Sequence, residues 1–224
     1  YFLNHFKPEL LTDDVAKKLS NLKQSIPNET VLRVKEIEKT TNHDVKAVEL
    51  ALSECFDGNE AIQSLIHIFL TSEDINSASY ALMLKEMHSN TLEWIENLEA
   101  ALGALIDENA ELPMMARTHG QPATPTTLGK ELNVFKQRLN KEKKTLEEQE
   151  FFAKWGGATA NYNPHLLAFP QADWLTHSEK FLDELELKLT KVSTQIEPHD
   201  YMAKVFHNLM PVSYTHLTLP TNLC

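Results

Sequence analysis

The sequence predicts an all-α protein, a long-helix bundle with a small N-terminal helical region, and three observations predict it. From Ile75 to Leu102 no glycine or proline interrupts an apolar pattern of helical spacing. At about 1.5 Å per residue that is a helix roughly 45 Å long, too long for the rim of a small domain. A second pattern, Leu128, Leu132, Phe135, Leu139 and Leu146, has heptad-like spacing and ends by Gly156-Gly157. Two long helices with apolar seams imply a bundle, one that several subunits can share. Third, the 224 residues include six glycines, and neither the dinucleotide-binding nor the phosphate-loop glycine motif occurs.

Hydrophobic residues make up 42% of the chain and charged residues 24%, an ordinary globular composition with room for one or two domains. The 21 Lys and Arg against 32 Asp and Glu leave a formal charge of −11. That argues against nucleic acid or an anionic membrane as partner. An anionic substrate would have to be met by a local cluster of His, Lys and backbone N–H groups. Cys55 and Cys224 make no disulfide framework, which fits a reducing cytoplasm. No apolar run reaches membrane-spanning length, and the start has no signal-peptide architecture. From Pro211 to Cys224 there is no charged residue, so residues 211–224 read as a non-native tail, with a β-rich tail as the alternative.

In chain order, Leu11, Val15, Leu19, Leu22 and Ile26 mark an amphipathic helix that ends at Pro27. Val31 to Ile37 carries a second helical pattern. Thr41 and Asn42 then read as the cap of a helix holding Val45, Val48 and Leu52. Asn42, His43 and Asp44 thereby fall at a helix start, where donors are unpaired and His43 can meet a ligand. A capping cluster with a solvent-facing histidine is the alternative. Asp57-Gly58-Asn59 is a turn. Ala61 to Leu70 reads as an apolar helix with His67 packed inside it. Thr71 and Ser72, with Asp74 three residues after Thr71, form a cap, and the same hydroxyls and amides suit a carboxylate or phosphate. On the long helix that follows, Trp94, Leu98, Ala101 and Leu105 mark one face.

Arg117-Thr118-His119-Gly120-Gln121-Pro122-Ala123-Thr124-Pro125 joins the two long helices. Gly120, Pro122 and Pro125 exclude a helix interior. Thr124 and Pro125 read as an N-cap and first-turn proline, with the helix starting near Thr126. His119 is then held on a rigid connector before a helix N-terminus, a good place to set an imidazole against an anion. A tight interhelical turn with a bystander histidine is the alternative. Lys141 to Glu150 reads as a solvated face and Ala158 to His165 as a turn-rich link. A helix carries Trp174, Phe181, Leu182 and Leu185, Glu184 to Leu189 alternates like extended chain, and Thr194 to Tyr201 restarts a helix with Pro198 and Asp200 in its first turn.

Four polar words therefore stand at predicted helix starts. They are Thr40-Thr41-Asn42-His43-Asp44-Val45-Lys46-Ala47-Val48-Glu49, Thr71-Ser72-Glu73-Asp74-Ile75-Asn76, Arg117 to Pro125, and Thr194 to Tyr201. Together, in this order, they resemble the adenylosuccinate lyase family in its bacterial long form, within the fumarase/aspartase superfamily. The resemblance covers most of the chain up to about Met210.

That resemblance implies an all-α homotetramer around a central helical bundle, a small-molecule nucleotide substrate, and no cofactor or metal. It implies elimination of fumarate from adenylosuccinate and from the succinyl-carboxamide ribonucleotide of purine synthesis. His119 is then the general acid, Asn42, His43 and Asp44 line the substrate pocket, Thr71 and Ser72 hold succinyl or phosphate oxygens, and Gln195 contacts substrate. The family's base, a serine on a Gly-Ser-Ser-x-Met-Pro-x-Lys-x-Asn loop, has no counterpart in these residues. The expected division is an incomplete N-terminal helical domain at 1–61, an incomplete central bundle at 62–210, and the tail; the expected chain is a fragment, inactive as it stands. A non-catalytic helical assembly module and another fumarate-releasing lyase are the alternatives.

Overall fold

Capping side chains and apolar spacing together set the elements of the computed structural model, which describes residues 1–218. Residues 219–224 of the predicted tail lie outside the described residues. In chain order the elements are α1 (Phe2–Phe6), α2 (Asp13–Gln24), α3 (Asn28–Thr41), α4 (Asp44–Cys55), α5 (Glu60–Gln63) and α6 (Ser72–Glu108). Then come β1 (Pro113–Thr118), β2 (Gln121–Thr127), α7 (Leu128–Glu147), β3 (Phe152–Ala153), α8 (Asn163–Ala168), α9 (Trp174–Asp183), β4 (Lys188–Leu189) and α10 (Asp200–Leu217). The predicted helical class holds, with one β-hairpin added. Two compact units divide the chain: Tyr1–Ser79 with Phe152–Glu197, and Tyr80–Phe151 with the stretch from Pro198 on. Each draws on two separate stretches, unlike the contiguous division expected at 61 and 210.

In the first unit, α2 starts where Thr12 Oγ1 accepts from the Val15 amide at 3.4 Å, and Asp13 and Asp14 complement the helix dipole. Val15, Phe56 and Ile62 form a buried cluster, with Leu10, Leu11 and Leu22 packed against it. A second cluster, Ile37, Ala47 and Ala51, joins α3 to α4. The turn between these two helices corrects the predicted cap. Asn42 closes α3 in the left-handed conformation, φ 49°, and His43, not Thr41 or Asn42, caps α4. Asparagine tolerates that backbone region because its short polar side chain bonds locally.

The helix expected over Ala61–Leu70 stops at Gln63, and His67 and Phe69 both adopt φ 63°. A continuous apolar run has no period to distinguish helix from packed loop, so tertiary packing decides. His67 is half-buried rather than a core residue. At Glu184–Leu189 the alternation yields β4, whose Lys188 and Leu189 pair in parallel with Phe152 and Ala153 of β3.

In the second unit, Leu102 and Leu139 are buried together, with Leu98, Ile106, Phe135 and Val212 packed around them. Leu98 therefore faces inward as expected, but Trp94 is 67% exposed and Leu105 is also exposed. The seam runs one position over, along Ile95, Leu98, Leu102 and Ile106. α6 carries apolar residues on more than one stripe, and its partner helix selects which is covered. Gly129 lets α7 approach closely: a Cβ there would stand 2.7 Å from the Ile106 carbonyl oxygen. α10 starts at Asp200 with Pro198 outside it, and it continues through Pro211 to Leu217. Arg138 of α7 lies over the Tyr214 ring at 5.2 Å. Residues 211–217 thus continue a packed helix.

Candidate functional site

The polar word before α4 is built by two caps. The Lys46 amide donates to His43 Nδ1 at 3.3 Å, satisfying one of the donors orphaned at the helix start. With Nδ1 accepting, the neutral ring carries its proton on Nε2, which lies 3.3 Å from Ser72 Oγ and donates to it. Asp44 Oδ1 is 3.3 Å from the same Nδ1, a contact that becomes an ion pair only when the ring is protonated. Asn42, His43 and Asp44 are all exposed, whereas Thr71 and Ser72 are half-buried. The predicted residues His43 and Ser72 are therefore brought together, and Asn42, Asp44 and Thr71 flank them along the chain. Gln195 is exposed on the loop between β4 and α10, beside a turn in which Thr194 Oγ1 accepts from the Ile196 amide at 3.4 Å.

Beneath Thr71 and Ser72 lies a network that residue types alone do not reveal. Asp74 is fully buried. Its Oδ2 accepts from the Thr71 amide at 2.8 Å, as the predicted cap requires, and from the Gly157 amide at 3.1 Å. Its Oδ1 accepts from Lys154 Nζ at 2.6 Å and from the Gly156 amide at 3.1 Å. Lys154, also fully buried, donates to the Gly157 carbonyl at 2.9 Å. Ser77 Oγ accepts from the Lys154 amide at 3.3 Å. A buried ion pair survives only when its remaining donors and lone pairs are met in this way. The effect is to fix the start of α6, and with it Ser72, against the Lys154–Gly157 strand end. The clue in the sequence was a lone lysine inside the apolar run Phe151 to Trp155.

His119 belongs to the second unit, and here the structure corrects the predicted connector. Arg117 to Pro125 is not a cap leading into a helix but most of a β-hairpin, with Thr118 paired to Gln121 and Pro113 to Thr127. His119 and Gly120 form its two-residue turn at φ 50° and 74°, the positive pair that a type I′ hairpin demands. Arg117 Nη1 donates to the Gly120 carbonyl across it at 3.3 Å. Each proline biases the residue before it, Gln121 or Thr124, toward extended backbone, which favours strand over cap. The true cap is Thr127, whose Oγ1 accepts from the Lys130 amide at 3.2 Å. His119 is exposed at the tip.

Among the described residues, no three His, Cys, Asp or Glu side chains are grouped to hold a metal ion, and no helix is long and apolar enough to cross a membrane. A family model described as lyase matches residues 6–218, and the chain belongs to that family. Among curated relatives, the adenylosuccinate lyase of Vibrio cholerae is 47% identical over 180 residues, 78% of this chain and 40% of that protein. The adenylosuccinate lyase of Escherichia coli is 41% identical over 197 residues, 86% of this chain and 43% of that protein. The chain spans about two fifths of the length of these relatives. A solved structure of fumarate lyase from Mesorhizobium sp. BNC1 superposes with a TM-score of 0.75 at 21% identity, over 93% of this chain and 48% of that one. The 3-carboxy-cis,cis-muconate lactonizing enzyme of Pseudomonas putida gives 0.69 at 19%, over 89% and 48%. At these identities the two structures bear on the fold alone.

Proposed function

We propose that the chain is part of an adenylosuccinate lyase, which eliminates fumarate from adenylosuccinate to give AMP and from the succinyl-carboxamide ribonucleotide of purine synthesis. One observation carries this: His43, from one motif word, meets Ser72, from another, at 3.3 Å across 29 residues of chain. Relatives at 41–47% identity that bear this name support it.

In such an elimination a base removes the weakly acidic proton beside a substrate carboxylate. The carbanion delocalises into that carboxylate, the C–N bond breaks, and the departing nitrogen takes a proton. Thr71, Ser72 and the amides at the start of α6 hold the succinyl or phosphate oxygens, where oriented donors stabilise the growing negative charge. Asn42, His43 and Asp44 line the pocket, Gln195 contacts the substrate, and His119 is the general acid, an imidazole suited to proton transfer near neutrality. The Gly-Ser-Ser-x-Met-Pro loop of the family's base is not among the 224 residues, so turnover is assigned to a longer protein. That protein works as a homotetramer in the cytoplasm, without cofactor. The test is the ultraviolet absorbance change when adenylosuccinate is added to the protein extended to the full length of its relatives. Fumarate release is expected; release from another succinylated amine but not from adenylosuccinate would assign the chain to a different branch of the superfamily.

A further inference from the structure

Ser72 stands inside a turn closed from both sides. The Asp74 amide donates to the Thr71 carbonyl at 3.0 Å, and the Thr71 amide donates back to Asp74 Oδ2 at 2.8 Å. Neither bond uses the Ser72 hydroxyl, which is left to meet His43 Nε2. A segment 80 residues further along the chain anchors this turn. Lys154 Nζ and the Gly156 amide donate to Asp74 Oδ1, and the Gly157 amide donates to Oδ2. One turn along α6, Ser77 Oγ accepts from the Lys154 amide. The segment also passes close to the loop before Ser72: a Cβ on Gly157, at φ 79°, would stand 3.0 Å from the Phe69 carbonyl oxygen.

The residue types at this anchor are informative because they are costly. Asp74 and Lys154 bury two full charges, where apolar side chains of similar volume often hold a fold as well. Apolar side chains cannot accept from the Thr71 amide. An asparagine would turn two donor hydrogens toward groups that themselves donate. A carboxylate accepts from all four, and Lys154 balances its charge. Neither Asp74 nor Lys154 has exposed surface, so neither touches a substrate, and an effect on one must pass through the turn that carries Ser72.

We propose that Asp74 and Lys154 are positioning residues that hold the Ser72 hydroxyl in place for a substrate oxygen. The inference rests on the reading of Ser72 as a contact to succinyl or phosphate oxygens. Its content is preorganisation: a donor fixed beforehand needs no reordering as negative charge develops.

Asp74→Asn and Ser72→Ala, made singly and together in the protein extended to the length of its relatives, test it. Asp74→Asn is expected to lower kcat/KM for adenylosuccinate by about 10²-fold, the cost of a displacement of about 1 Å near the reacting groups. In the Ser72→Ala background the same change should cost less than about twofold, because the group it acts through is gone. A merely structural role would scale the folded fraction, and with it the rate, by one factor in both backgrounds. Equal losses would overturn the proposal. If Asp74→Asn does not fold, Asp74→Asn combined with Lys154→Met leaves no charge buried alone and takes its place.

A second measurement needs no turnover. In the chain itself, nitrogen NMR of the histidine rings reports on His43, and Ser72→Ala and Asp74→Asn (or the combined variant) are expected to move its ring nitrogens in the same direction. An extended protein that releases no fumarate while these shifts agree would remove the assigned reaction and keep the positioning of Ser72. Ring nitrogens that Ser72→Ala moves and Asp74→Asn does not would overturn the positioning itself.

Discussion

At the scale of single residues, the Asp74 carboxylate organises the first unit by accepting four hydrogen bonds. Removing one partner of a buried pair leaves the other charge uncompensated. Asp74→Asn is therefore expected to destabilise the chain by about 3–5 kcal/mol, measured by urea denaturation; a loss within experimental error would show that Lys154 finds another partner. His165 sets an acid limit. Its pKa falls from the ordinary 6.5 to about 4 on folding because burial disfavours the charged ring. Above the unfolded value neither state binds the proton, so nothing is lost. As pH falls from 6.5 toward 4 the unfolded chain takes up the proton first, and stability drops by up to about 3 kcal/mol. His165→Phe should flatten that part of the stability–pH curve, read from urea midpoints across it. An unchanged slope would place the acid sensitivity elsewhere.

At the scale of elements, the hairpin β1–β2 presents His119. Because that residue sits at φ 50°, His119→Asn is the informative substitution: asparagine tolerates the left-handed region, so the turn survives while the titrating ring is lost. On the general-acid role proposed for it, turnover of the protein extended to the length of its relatives is expected to fall by about 10²–10⁴-fold, with substrate binding retained. Near-normal turnover would remove His119 from that role. Close packing of α6 on α7 depends on Gly129. A Cβ there would approach both Ile106 O and Ala110 Cα, the latter at 2.8 Å. These are backbone atoms that cannot swing aside, so Gly129→Ala should cost about 1–3 kcal/mol, seen as a lowered melting temperature.

At the scale of the whole molecule, α6 leaves an apolar stripe uncovered. Met83, Trp94 and Leu105 are exposed, and their spacing brings them back to one face after whole turns. An apolar stripe of this kind suits burial against further helices, so the chain is expected to self-associate in sedimentation experiments. Trp94→Lys should lower the associated fraction, and a monomeric parent chain would dispose of the stripe as an interface. Much was legible without coordinates. Long periodicity determined the helices α6 and α7, because a long run with little glycine or proline favours the helix and repeats its apolar residues at a regular interval. The resemblance, carried by four motif words, pointed to the lyase family. The pairing of Thr71 with Asp74 was readable too, since a cap is a contact between near neighbours in the chain. Only the tertiary structure decided which stripe of α6 faces inward, that Arg117 to Pro125 folds back as a hairpin, that Asn42 ends one helix while His43 begins the next, and that Lys154 reaches Asp74 across 80 residues. Local spacing carries no information about a partner distant in the chain, and the free energy of burying an apolar face or a charge is set by that partner.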